Sequence, residues 1–365
     1  MKLECSVEKL KNAVLQAERV TGKNLTLPIL SSILLIATGK SLKLRATNLS
    51  LGIEIEIPAK VEIEGVAAIR GDVVSTLFSA LYQNDQVVIE LVSDNLSVAT
   101  KYNHCLIKNY SHEDFPTIPI VTGQTFVMPS KKLVEGIKSV SYSSAVSDIK
   151  PEISSIYIYP DGDDIVFVAT DAFRLAEKRI KMKKTEDFSG LLVPFKNIGE
   201  IVRLLSDFDG DVNVSFTKNQ MAFTFPGVYM TSRIIDGVFP DYKQIMPKGH
   251  ETEVIVLKQD LLNALRLSNV FSDKFNQITL IVNPVEKILT VKSKNTDVGE
   301  NETNILASLK GENVEINLNY KYFLDCFTSV NQDSVVIHFN GVNKPMIVRG
   351  LSDNSFTYLV MPINR

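Results

Sequence analysis

The chain is 365 residues long, 45% hydrophobic and 22% charged, with 39 basic against 42 acidic residues and a formal net charge of −3. That is the balance of an ordinary soluble globular chain, and it excludes a compositionally disordered or uniformly basic one. No apolar run approaches the roughly 18 residues of a membrane span.

The start, Met1-Lys2-Leu3-Glu4-Cys5-Ser6-Val7, alternates like a strand and lacks the apolar stretch of a signal peptide. Next comes a helix with Leu10 and Val14 four apart. Ile53-Glu54-Ile55-Glu56-Ile57 then alternates with period two, so one face is buried and the other carries carboxylates. A second helix over Val73 to Leu81 runs to a polar turn at Asp85 and the strand Val87-Val88-Ile89. Phe115-Pro116 through Pro119 closes the segment.

The same order then recurs. Pro129-Ser130-Lys131-Lys132 leads into a helix with Leu133 and Ile137. Ser154 to Tyr159, Asp161-Gly162-Asp163-Asp164 and Ile165 to Val168 read as a hairpin. A helix from Ile198 to Leu205 ends near Asp209-Gly210-Asp211, before Val212-Asn213-Val214. A second hairpin follows, from Asn213 to Phe216 and Met221 to Phe225, and Phe239-Pro240 through Pro247 closes the copy. The third copy opens at Lys258-Gln259-Asp260 with Leu261 and Leu265. Its second helix runs from Tyr322 to Phe327, and Asp333 precedes Val335-Val336-Ile337.

Leu10, Leu133 and Leu261 lie 123 and 128 residues apart, and Asp85, Asp211 and Asp333 lie 126 and 122 apart. So long a period is that of a domain, not of a solenoid unit. The spacing predicts three α+β domains, 1–122, 123–248 and 249–365. Each should hold two helices packed on antiparallel sheets, with its own core.

Little in the chain suggests catalysis. His104, His112, His250 and His338 sit in unrelated sequence contexts, with no helical pair spaced for a metal. No glycine-rich phosphate loop is present. Asp207-Phe208-Asp209-Gly210-Asp211 departs from a calcium loop and reads as a solvated turn. Asp161-Gly162-Asp163-Asp164 reads as a turn rather than a pair of glycosidase carboxylates. Cys5, Cys105 and Cys326 are far apart and odd in number, as suits small apolar residues in a reducing cytoplasm. The expectation is a non-enzyme with no catalytic residue, no metal and no cofactor.

Four segments carry a family resemblance: Leu27-Pro28-Ile29-Leu30, Ala169 to Ala176 (ATDAFRLA), Ser232 to Tyr242 (SRIIDGVFPDY) and the terminal Tyr358-Leu359-Val360-Met361-Pro362. In their order and spacing they resemble the bacterial sliding clamps, the beta subunits of DNA polymerase III. The resemblance runs from Met1 to Arg365. It implies the DNA-clamp fold, with head-to-tail homodimers forming a six-domain ring around duplex DNA. It implies as partners sequence-independent duplex DNA, a second copy, and the polymerase III core, the clamp loader, other polymerases and repair proteins. These proteins would dock through a short linear motif, with no membrane involved.

By the same resemblance, the docking pocket would comprise Ile153, Thr170, Ala172, Phe173, Arg174, Leu175, Pro240, Ile245, Phe275, Asn319, Tyr322, Pro345, Val360, Met361, Pro362 and Ile363. Ala172 stands where a glycine is common, and Phe173 where some members have histidine. DNA contacts would fall on Lys23, Asn24, Arg70, Lys150, Lys196 and Arg203. Asn24 occupies the family's arginine position, and Pro151 and Glu152 stand where some members have tyrosines. The subunit interface would join the edge strand around Cys105, Leu106 and Ile107 to the helix around Val270 and Phe271. A net charge of −3 suits a DNA ring only if lysines and arginines gather on the helices and carboxylates on the strands and turns. A peptide-binding hub of the same fold, with no DNA inside, is the alternative.

Overall fold

The computed structural model describes residues 1–22, 26–82, 86–147, 149–182 and 188–363; Lys23, Asn24 and Asp85 lie outside them. The first repeat runs β1 (Lys2–Ser6), α1 (Val7–Val20), β2 (Ser32–Thr38), β3 (Ser41–Thr47), β4 (Leu51–Pro58), β5 (Lys60–Ile63), β6 (Gly65–Arg70), α2 (Gly71–Ala80), β7 (Gln86–Val92), β8 (Asn95–Ala99) and β9 (His104–Lys108). The second runs β10 (Gln124–Pro129), α3 (Ser130–Ser141), β11 (Ser155–Asp161), β12 (Asp164–Thr170), β13 (Arg174–Lys181), β14 (Leu191–Pro194), α4 (Phe195–Ser206), β15 (Asp211–Phe216), β16 (Gln220–Phe225) and β17 (Val228–Arg233). The third runs β18 (Thr252–Leu257), α5 (Lys258–Val270), β19 (Gln277–Asn283), β20 (Ile288–Asn295), β21 (Gly299–Leu306), β22 (Ser308–Lys310), β23 (Val314–Asn319), α6 (Tyr320–Asp325), β24 (Ser334–Phe339), β25 (Met346–Gly350) and β26 (Phe356–Val360). Strand, helix, several strands, helix, three strands: the order is the same three times.

Compact units cut across this repetition. One comprises Met1–Lys131 and Gly199–Ile234, the other Lys132–Ile198 and Ile235–Arg365. The reason is strand pairing. Strands of the middle repeat complete sheets begun by the first and third.

In the first unit, an eight-stranded antiparallel sheet has the order β10-β15-β16-β17-β4-β3-β2-β6. The repeats join where Val228 to Ser232 pair with Ile55 to Leu51. A second sheet, β5-β1-β7-β8-β9, completes the unit. Helix α1 buries Leu10, Val14 and Ala17, one helical stripe. The alternation in β4 is as expected: Ile53, Ile55 and Ile57 are buried. Glu54, on the other face, takes Lys43 at 3.2 Å and Arg45 at 2.5 Å from β3.

In the second unit, a nine-stranded sheet has the order β14-β11-β12-β13-β26-β25-β24-β18-β22, beside a four-stranded sheet, β21-β20-β19-β23. Here Arg174 to Lys178 pair with Val360 to Phe356. Val166, Val168, Leu175, Leu192, Phe239, Tyr242 and Leu359 form a buried cluster, with Met246 and Met361 packed against it. Hairpin β11–β12 closes Asp161 against Asp164 around Gly162-Asp163. Gly162 has φ 63, the left-handed conformation such a tight turn requires. Arg179 reaches both Asp161 (2.8 Å) and Asp164 (3.0 Å), and its hydrogen bond holds the Asp161 carboxyl below the usual carboxylate range. These carboxylates are ion-paired turn residues. Cys5 and Cys326 are buried and Cys105 half-buried, all free.

Gly136 of α3 sits against the Phe167 ring: an added Cβ would lie 2.4 Å from its Cε2. Phe167 is fully buried and cannot swing away. Overpacking of this kind costs about 1–3 kcal/mol, against about 1 kcal/mol gained from alanine's helix propensity. Gly136→Ala is expected to lower the urea unfolding midpoint, by up to about 2 kcal/mol of stability.

Candidate functional site

Between β12 and β13 the chain turns within four residues, and the turn is held by its own side chains. Thr170 Oγ1 donates to the Arg174 carbonyl at 2.7 Å, and Asp171 Oδ1 accepts from the Phe173 and Arg174 amides at 3.0 Å. Ala172 has φ 75, a left-handed conformation that favours glycine. Phe173 stands at the tip, 61% exposed.

Arg174 points back from this turn. Its Nε lies 3.0 Å from Asp171 and its Nη1 2.5 Å from Asp325, and the guanidinium lies 4.4 Å from the centre of the Tyr322 ring. Burial opposes its charge, but Asp325 and Asp171 outweigh that and raise its pKa beyond the usual range. Two carboxylates and an aromatic face therefore fix one side chain. Asp325 is 151 residues from Arg174 in sequence, so no local pattern announced it.

The chain end lies along the same turn. Val360 is paired with Arg174, and the Met361 amide donates to the Phe173 carbonyl at 2.8 Å. The Ile363 amide donates to the Asn317 carbonyl at 2.7 Å, which leads the tail, with Pro362 between, towards β23. Pro345 immediately precedes Met346, the cross-strand partner of Val360. Asn319 caps α6, accepting from the Lys321 and Tyr322 amides. The Tyr358 hydroxyl donates to the Tyr322 carbonyl at 2.6 Å.

Leu175 and Met361 meet Tyr242 and Met246 in the buried cluster. Tyr242 is anchored by Glu177 at 2.5 Å and Tyr159 at 2.7 Å. Pro240 accepts from the Tyr242 amide, and Ile245, half exposed, ends the turn Tyr242–Ile245. Most of the expected docking residues thus converge on one side of the second unit. Phe275 is 61% exposed in the loop before β19, two residues from Gln277, the cross-strand partner of Asn319. Ile153 is tied to its own loop, its carbonyl accepting from Ala145 and Ser144. Sequence reading missed Asp171, Asp325, Tyr242 and Met246. Only Asp171, three residues before Arg174, left a local signal.

The expected DNA contacts are scattered. Lys196 and Arg203 are exposed and seven residues apart on α4, so two turns bring them to one face. Arg203 also shares a small crevice with Arg19 of α1, together with Glu200 and Asp207. Arg70 is exposed and ion-paired with Asp72, and lines a 430 Å³ groove with Leu27, Pro28 and Tyr110. Lys150 is exposed in the loop before β11. At the expected interface, Val270 is 61% exposed and Phe271 half-buried. On β9, Cys105 is half-buried, but Ile107 is 8% exposed and turns inward. Leu106, 62% exposed, is that strand's outward apolar residue. Period-two alternation makes the two exclusive. His250 and His338, in unrelated sequence contexts, stack with ring centres 4.0 Å apart.

Three α+β repeats that share sheets define a clamp-type, three-domain protein. Family models for the N-terminal, central and C-terminal domains of the DNA polymerase III beta subunit match residues 1–119, 127–241 and 243–364 in turn. The chain belongs to that family. It is 26% identical over 376 residues to the beta sliding clamp of Synechococcus elongatus, covering 100% of this chain and 99% of the relative. It is 27% identical over 372 residues to that of Treponema pallidum, with the same coverage. The sliding clamp of Pseudomonas aeruginosa, solved bound to griselimycin, superposes with a TM-score of 0.95 at 25% identity, over 100% of both chains.

Proposed function

We propose that this chain is the processivity clamp of a bacterial replication machinery, a non-catalytic ring of two copies that encircles duplex DNA and tethers polymerases to it. The observation that supports this reading most is the tiling of the whole chain by the three beta-subunit domains in order. The domains are taken as 1–122, 123–248 and 249–365, and the working compartment as the cytoplasm. The core polymerase, the clamp loader and repair proteins are its protein partners.

A ring retains DNA by topology, so its contacts need only be weak and directed at phosphate. Lys196 and Arg203, with Arg19, Arg70 and Lys150, would supply these. Ring closure would use β9 and β21, each the last strand of its sheet. Open edges of this kind are aggregation-prone unless paired. On β21, Glu300 and Glu302 already pair with Lys294 and Lys292 of β20, so backbone pairing rather than charge would carry a head-to-tail contact. Leu106, Val270 and Phe271 would form its apolar part. Such a heterologous contact closes after two copies rather than growing a filament.

The docking site would be the surface around Phe173, Arg174 and Met361. Apolar side chains of a peptide would pack on Ile245 and Met361, above the buried Leu175, with Met361 a flexible thioether that adapts to different residues. Arg174 is already satisfied by Asp171 and Asp325, so its role is to shape the wall.

Light scattering over a dilution series is expected to give a species of twice 40.6 kDa that persists on dilution; a monomer throughout would contradict ring closure. Lys196→Glu with Arg203→Glu should reduce retention on circular DNA and leave peptide binding intact, and equal loss of both would refute the assignment. Met361→Ala with deletion of Pro362 to Arg365 should weaken a fluorescent partner peptide at least tenfold, or about 1.4 kcal/mol, with the dimer mass unchanged. Unaltered anisotropy would remove the tail from the site.

A further inference from the structure

Three side chains outside the expected docking set come together on the nine-stranded sheet. Glu253 of β18 and His338 of β24 are direct cross-strand partners. Both lie on the face opposite the buried Val254 and Ile337. His250 stands just before β18, where the chain is free of strand alternation, and its ring lies parallel to that of His338, 4.0 Å away and inclined by 4°. Glu253 Oε2 is 3.3 Å from Nε2 of His338 and 3.8 Å from Nε2 of His250.

We propose that His250, Glu253 and His338 bind a divalent first-row transition ion of the zinc type. Zinc holds nitrogen and oxygen ligands at about 2.0–2.2 Å in a tetrahedron, so its ligand atoms stand roughly 3.3–3.6 Å apart. The Glu253–His338 separation is already in that range. The Glu253–His250 separation needs a few tenths of an ångström less, and because the two imidazoles are stacked in parallel planes, the His250 ring must also rotate to aim its nitrogen at the same point. His250 can supply that movement, since its side chain is 41% exposed, against 23% for Glu253 and 17% for His338. One coordination position stays open to water on the His250 side.

The donor set also selects the ion. Two imidazoles and one carboxylate suit zinc, copper or nickel, whereas magnesium and calcium prefer oxygen alone. Arg349 donates to Thr357 Oγ1 at 3.1 Å rather than occupying the site. An ion here would tie the segment before β18 to β24, adding a cross-link within the third repeat. The cluster draws on residues up to 88 positions apart, which is why the histidine spacing gave no sign of it.

The test is calorimetric titration of zinc chloride into the intact chain near neutral pH, with His250→Ala/His338→Ala and Glu253→Gln beside it. The intact chain should bind one zinc with micromolar affinity or tighter, and magnesium should give no heat. Each variant should lose at least tenfold in affinity. Cobalt should give the intense visible bands of a four-coordinate site in the parent chain alone. Zinc should raise the parent's melting midpoint and leave that of the double variant unchanged. Circular dichroism matching the parent's shows the variants folded, and His250→Ala alone, at an exposed position, serves if the double variant does not fold. Absence of zinc binding at millimolar concentration, or equal affinity in the double variant, would overturn the proposal.

Discussion

The ladder between β13 and β26 is the interaction on which most of the second unit depends. Arg174 to Lys178 meet Phe356 to Val360 there, two segments almost 180 residues apart in the chain. Without that pairing each strand would present a row of unsatisfied amides and carbonyls beside a buried apolar face. With it, Leu175 and Leu359 lie opposite each other in the same buried cluster. The same ladder carries Met361 to the Phe173 carbonyl. The surface proposed for docking is thus built where these paired strands end.

The first unit repeats the device with β17 and β4. A middle repeat that lends strands to both neighbours cannot unfold by itself without exposing two sheets. Cooperative behaviour should therefore follow the shared sheets rather than the repeat boundaries. Ion pairs decorate this framework without supporting it. Most, such as Lys131–Asp209 with both partners mainly exposed, contribute little in water. Besides Lys178, 6% exposed and paired with Glu135, Arg174 is an exception, because its side chain is 11% exposed and tied to two carboxylates. Replacing it would strand those charges near an apolar wall.

Charge distribution connects fold to DNA. The chain is slightly acidic overall, yet α4 presents Lys196 and Arg203 on one face, and Arg19 of α1 shares a crevice with Arg203. On β4, by contrast, Glu54 is consumed by Lys43 and Arg45 within the sheet. Net charge and local field are separate quantities: the first bears on solubility, the second on where a phosphate backbone is attracted.

Read alone, the sequence determined the three-fold order of elements, the helix stripes through Leu10, Leu133 and Leu261, and the strand alternation at Ile53 to Ile57. All of these are short-range, since helix and strand periods are properties of a few consecutive residues. The tight turn at Gly162 belongs to the same class. Which strands share a sheet was decided only by the tertiary structure, because pairing is chosen by complementary apolar faces and not by distance along the chain. The same holds for Asp325 beside Arg174 and for Leu106 rather than Ile107 at the edge of β9. It holds equally for His250 and His338 around Glu253. In each case the deciding contact is made between residues whose separation in sequence carries no record of their separation in space.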